Sequence, residues 1–70
     1  TTAEVSVPSD GREHRVLVAV TDQRGTNNVY ESTHPPGTRL RIPVRFRGNQ
    51  AVVKVYIDGS LVDEKTVSAR

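Results

Sequence analysis

Seventy residues make one small domain, and a chain of that length buries only about 60% of its unfolded surface. Without cysteine it has no disulfide and no thiolate metal site. A net charge of +2 is too small to imply nucleic acid or a membrane, and no apolar run approaches the ~18 residues of a membrane span.

The chain lacks Met and starts at Thr1, which predicts a piece of a longer protein or a processed one. No signal peptide is visible. Absence of Cys fits an extracellular protein that avoids disulfides and a cytosolic protein equally well. Arg outnumbers Lys eight to two, and from Ser32 to Ile57 there are four Arg, one Lys and no acid.

Residues 1–11 read as a linker that can carry a short edge strand, because Ala3, Val5 and Val7 alternate with Glu4 and Ser6. Pro8-Ser9-Asp10-Gly11 reads as a turn. The domain proper is expected over 12–70. Glu13 to Asp22 is rich in β-branched residues and reads as a strand. Val16, Val18 and Val20 share one face, and Arg15, Leu17, Ala19 and Thr21 the other. Apolar residues on both faces suit a strand covered on both sides for part of its length.

Asp22 to Asn28 reads as a polar loop, and Val29 to Thr33 as a short strand. His34-Pro35-Pro36-Gly37 stops it with a turn that wants φ > 0 at Gly37. Thr38 to Arg47 is the clearest alternation in the chain. Leu40, Ile42, Val44 and Phe46 occupy one face, and Arg39, Arg41, Pro43, Arg45 and Arg47 the other. Pro43 cannot donate to a ladder, which predicts an edge or a bulge there.

After Gly48-Asn49-Gln50, two β-rich runs flank Asp58-Gly59. That dipeptide predicts a type I′ hairpin, because both central residues need φ > 0. The turn sets Ile57 against Ser60, Tyr56 against Leu61, Val55 against Val62 and Lys54 against Asp63. Ala51, Val53, Val55 and Ile57 are expected to face the core. In this register Val67 falls on the wrong face, and one extra residue near Asp63-Glu64 would correct it as a β-bulge. Ser68 to Arg70 should fray. No segment reads as a helix. Five to seven short strands predict an all-β antiparallel sandwich, with a small barrel as the alternative.

No residues form a catalytic constellation. No nucleophile elbow appears, and no carboxylate pair is placed across a cleft. His14 and His34 lack further ligands for zinc. Asp22, Asn27 and Asn28 lack the spacing of a calcium loop. No cofactor is implied. Tyr30, Tyr56 and Phe46 are too few to interleave with basic residues as a nucleic-acid platform. Tyr56 against Leu61 reads as a packing pair. The one candidate surface is Arg39, Arg41, Arg45 and Arg47, with alternate residues ~6.8 Å apart along a strand. Four guanidinium forks there can hold phosphates or carboxylates, or can simply be solvated and guard an edge. Their neutralising acids would come from Asp63 and Glu64 across the sheet, or from outside.

Val29-Tyr30-Glu31, Pro36-Gly37, Ile42-Pro43-Val44, Gly48 and Val55-Tyr56-Ile57-Asp58-Gly59, followed by Glu64 and Val67, form an ordered set of motifs. From about His14 to Val67 this set resembles the Ig-like domain at the extracellular C-terminus of PASTA-containing bacterial serine/threonine kinases. The resemblance implies an Ig-like β-sandwich that is not itself an enzyme. It further implies a place outside the plasma membrane, in a single-pass protein whose neighbouring PASTA repeats are associated with peptidoglycan fragments. A spacer role, or weak binding of peptidoglycan or another anionic wall polymer by the four Arg, follows as the expectation. No binding motif carries over residue by residue. Membrane contact by this stretch is not expected. The rival reading is a small nucleic-acid-binding β-barrel module.

Overall fold

The structure, a computed structural model, describes residues 2–68. Six strands follow one another: β1 (Thr2–Ser6), β2 (His14–Asp22), β3 (Gly25–His34), β4 (Arg39–Pro43), β5 (Gln50–Ile57) and β6 (Ser60–Ser68). They form two antiparallel sheets, β1-β4 and β3-β2-β5-β6. The fold is therefore a small all-β sandwich, not a closed barrel.

The core lies between the sheets. Val16, Val18 and Val20 of β2 meet Ala51, Val53, Val55 and Ile57 of β5, and Val5 and Ile42 of the small sheet, with Val7 and Val44 just beyond its strands, complete the cluster. The period of two explains this set, since each strand sends alternate residues to one face. Residues 1–11 hold the edge strand that their alternation allowed. Thr2–Ser6 pairs with β4, and Val5 and Val7 are core residues.

The turn at Pro36-Gly37 forms as read, with Gly37 at φ 77°, whereas the chain after Pro8 bends over Asp10 to Arg12, with Gly11 at φ 81°. The Gly37 amide donates to the Val7 carbonyl at 3.2 Å, tying the β3–β4 turn to the end of β1. The Asp58-Gly59 hairpin is also present, with φ of 53° and 82° at its two central residues.

Three expectations are corrected. The stretch from Asp22 to Asn28 is not a loop. Only Gln23 and Arg24 separate β2 from β3, which starts at Gly25. The Asp22 carboxylate caps the turn by accepting the Arg24 amide at 2.8 Å. Thr26 to Asn28 can be polar because β3 is an edge strand, and its register shifts opposite Val18 and Ala19.

Strand β4 ends at Pro43, not at Arg47. Pro43 faces Thr2 in an edge ladder and has no N–H to continue it. The alternation nevertheless persists, with Val44 buried, Phe46 half-buried and Arg45 and Arg47 exposed.

The bulge that corrects Val67 exists, but its extra residue is Val62. Tyr56 faces Leu61, whereas Val55 faces Asp63 and Lys54 faces Glu64. Val67 then lies opposite Ala51 and packs on the core. Asp63 and Lys65 consequently sit opposite the core positions Val55 and Val53, yet both are exposed. Beside them an open groove between β1 and β6 is lined by Ala3, Val53, Val55 and Val67. A bulge and inward-facing charges are devices that keep an edge from pairing with another chain. Ser68 is the last residue of β6, paired with Gln50, and the fraying expected at residues 69 and 70 lies outside the described residues.

Candidate functional site

Arg39 and Arg41 stand on β4, and Arg45 and Arg47 on the extended segment after it. Leu40, Ile42, Val44 and Phe46 pack inward, so all four Arg are exposed on the opposite side. The strand carries only Arg39 and Arg41, and Arg45 and Arg47 continue the exposed side beyond its end.

The neighbouring acid is not the one expected. Glu64 faces Lys54 in the other sheet, and Asp63 accepts the Glu64 amide at 2.9 Å. Instead Glu4 of β1 lies opposite Arg41, with Oε1 3.8 Å from Nε. Both side chains are highly exposed, at 82% and 74%, so the pair contributes little. Among the described residues, no ion pair engages the side chains of Arg39, Arg45 or Arg47.

Backbone contacts fix the end of the row. The Arg47 amide donates to Asp22 Oδ2 at 2.9 Å, and Asp22 Oδ1 holds the β2–β3 turn. These two amides, Arg47 first and Arg24 second, lower the Asp22 pKa. Gly48 follows with φ of 94°, and a Cβ there would stand 2.6 Å from Gln23 Oε1. Asp22 also interacts with the Arg47 charge, which leaves Arg39 and Arg45 as the guanidinium groups most open to an outside anion.

A second cluster was invisible to sequence reasoning. His14 is 8% exposed and lies between two carboxylates. Its Nδ1 donates to Asp58 Oδ2, and its Nε2 donates to Asp10 at 2.8 Å to Oδ1 and 2.9 Å to Oδ2. Asp58 Oδ1 also accepts the Arg15 amide at 3.0 Å. The clamp ties the loop after β1 to the β5–β6 turn. When the ring is protonated both nitrogens donate, and His14 then has no lone pair for a metal. The i,i+4 spacing of Asp10 and His14 is visible in the sequence, but Asp58 is 44 positions away from His14. Nearby, Tyr30 stacks on His34 with ring centroids 5.8 Å apart. On the opposite face of the large sheet, Tyr56 pairs with Leu61.

The clamp makes a prediction about pH. Hydrogen bonds that its ring donates to Asp58 and then to Asp10 raise the His14 pKa above 6.5. The hydrogen bond from His14 is the main cause that lowers both Asp10 and Asp58 below 3.8. A raised His contributes stability that is complete below its unfolded pKa and is lost as pH rises through its folded one. The lowered acids contribute stability present above 3.8 and lost as pH falls through their folded values. Melting temperature is therefore expected to be level between about pH 4 and 6.5 and to fall on either side. His14→Gln should flatten the alkaline fall, and an unchanged alkaline limb in that variant would assign it to another group.

This chain is similar to part of a receptor ectodomain. The solved structure of the entire extracellular region of the Ser/Thr kinase PrkC from Staphylococcus aureus superposes with a TM-score of 0.73 at 30% identity. The match covers 97% of this chain and 26% of that one, so the chain spans about a quarter of the ectodomain it resembles. No protein-family model matches the chain, and no curated protein matches it. Among the described residues, no group of His, Cys, Asp and Glu is placed to hold a metal ion, and no helix is long and apolar enough to cross a membrane.

Proposed function

We propose that this chain is a non-catalytic module of the extracellular region of a membrane-anchored bacterial serine/threonine receptor kinase. In this reading its arginine face makes weak contact with anionic wall polymer. The observation that carries it is the likeness to the PrkC extracellular region across nearly the whole chain. That likeness supports a place outside the membrane and away from the kinase's catalytic domain. The four exposed Arg supply the chemistry, because wall teichoic phosphates and peptide-stem carboxylates are the anions guanidinium forks fit. Neighbouring PASTA repeats, as the sequence resemblance implies, would set the module's distance from the membrane.

A nucleic-acid role finds less support. The sheets do not close into a barrel, and no aromatic ring accompanies the Arg row. Phe46 packs inward, Tyr30 stacks on His34, and Tyr56 belongs to the other sheet.

Charges this exposed are screened within ~8 Å at physiological salt. Affinity for a soluble poly(glycerol phosphate) probe is therefore expected to be in the millimolar range and to weaken with salt. Amide shifts of the labelled chain should move along Arg39, Arg41, Arg45 and Arg47. The double variant Arg41→Ser, Arg45→Ser should weaken binding and leave the melting temperature almost unchanged. Shifts absent at low salt, or confined to another face, would reduce the row to a solvated edge and leave the module a spacer.

A further inference from the structure

Both Asp-Gly steps in the chain, Asp10-Gly11 and Asp58-Gly59, bring their carboxylates to the same residue. We propose that His14 guards these two steps against isoaspartate formation, making them latent modification sites of the fold.

The chemistry is intramolecular. The amide nitrogen of the glycine loses its proton and attacks Cγ of the preceding aspartate, and the carboxyl oxygen leaves as water. The resulting succinimide takes up water at one of its two carbonyls. Cleavage of the β-carbonyl–nitrogen bond restores aspartate. Cleavage of the α-carbonyl–nitrogen bond yields isoaspartate, whose backbone runs through Cβ. Glycine favours the first step because no side chain shields its nitrogen. Water is at hand, because the Asp10 and Asp58 side chains are 46% and 53% exposed.

Geometry opposes the attack at both places. The Asp58 carboxylate is turned back onto β2, where it accepts His14 Nδ1 and the Arg15 amide. The Asp10 carboxylate accepts His14 Nε2 through both oxygens, and its Oδ1 also accepts the Arg12 amide at 3.0 Å. Each carboxylate is thus held by a backbone amide and by the shared His14 ring. A carboxylate held in these hydrogen bonds is a poor electrophile, because its oxygens are tied up as acceptors and its leaving oxygen lacks a proton. His14 is the one residue common to both steps. Success of the chemistry at Asp58 would add a backbone methylene to a two-residue turn and remove the acceptor of His14 Nδ1.

The test is ageing of the seventy-residue chain at 37 °C, with isoaspartate at positions 10 and 58 read by peptide mapping with electron-transfer fragmentation. Folded protein should accumulate it at both positions more slowly than the same chain unfolded in urea. His14→Gln or His14→Asn, whichever circular dichroism shows to be folded, should accelerate both positions by about tenfold, the factor set by losing one charge-assisted hydrogen bond. A folded variant as slow as the parent at either position would overturn the shared guard. So would a parent chain that isomerises equally fast folded and unfolded, a result that stands even if neither variant folds.

Discussion

Val18→Ala is expected to lower stability by about 2–3 kcal/mol, from two lost methyl groups and the cavity they leave. Val18 is fully buried at the middle of β2, opposite Tyr30 on one side and Val55 on the other. A domain of this size has roughly 3.5–10 kcal/mol in all. Melting should therefore fall by roughly 10–20 °C. Leu61→Ala is the matched control, because Leu61 is 50% exposed, and its effect should stay within about 0.5 kcal/mol. Thermal melts of both variants check this. Equal shifts would mean that the core does not lie between these sheets.

Gly59→Val is expected to destabilise by about 1–3 kcal/mol, the cost of holding a β-branched residue at positive φ. Gly59 sits at φ 82°, and a Cβ there meets nothing within 4 Å. The cost is therefore conformational and not steric crowding by neighbours. Gly59→Asn, which tolerates the left-handed region better, should recover part of the loss. Urea unfolding of the two variants measures the difference. A Val variant as stable as the parent would remove the turn from Asp58-Gly59.

That turn shows why parts of the fold are legible. Asp58-Gly59 is a local requirement for positive φ, so four residues suffice to read it. The Leu40 to Phe46 alternation is equally local, and it separates a dry face from the arginine row without knowledge of any partner strand. Bulge placement is different. The parity of Val67 demands one extra residue, but several positions would satisfy it, and the strand selects Val62. Thr26 to Asn28 look like loop residues because an edge strand need not be apolar.

The candidate site divides in the same way. The arginine row was readable from its period of two, whereas its acid neighbour was not. Glu4 meets Arg41 only because β1 pairs with β4, 37 positions further along the chain. The His14 clamp likewise needs Asp10 and Asp58 from opposite ends of the chain. Neither residue type nor spacing announces such a contact, since it is made by the sandwich closing.

The central claim, a module on the outside of the membrane, has a direct test. The chain contains no cysteine, so a single Ser60→Cys places one thiol at the exposed start of β6. The parent protein carrying that change is treated on intact cells with a membrane-impermeant maleimide, beside the same protein without it. Labelling of the Ser60→Cys protein above its control before permeabilisation is the result expected. Labelling that appears only after the membrane is opened would place the chain inside the cell and contradict the account.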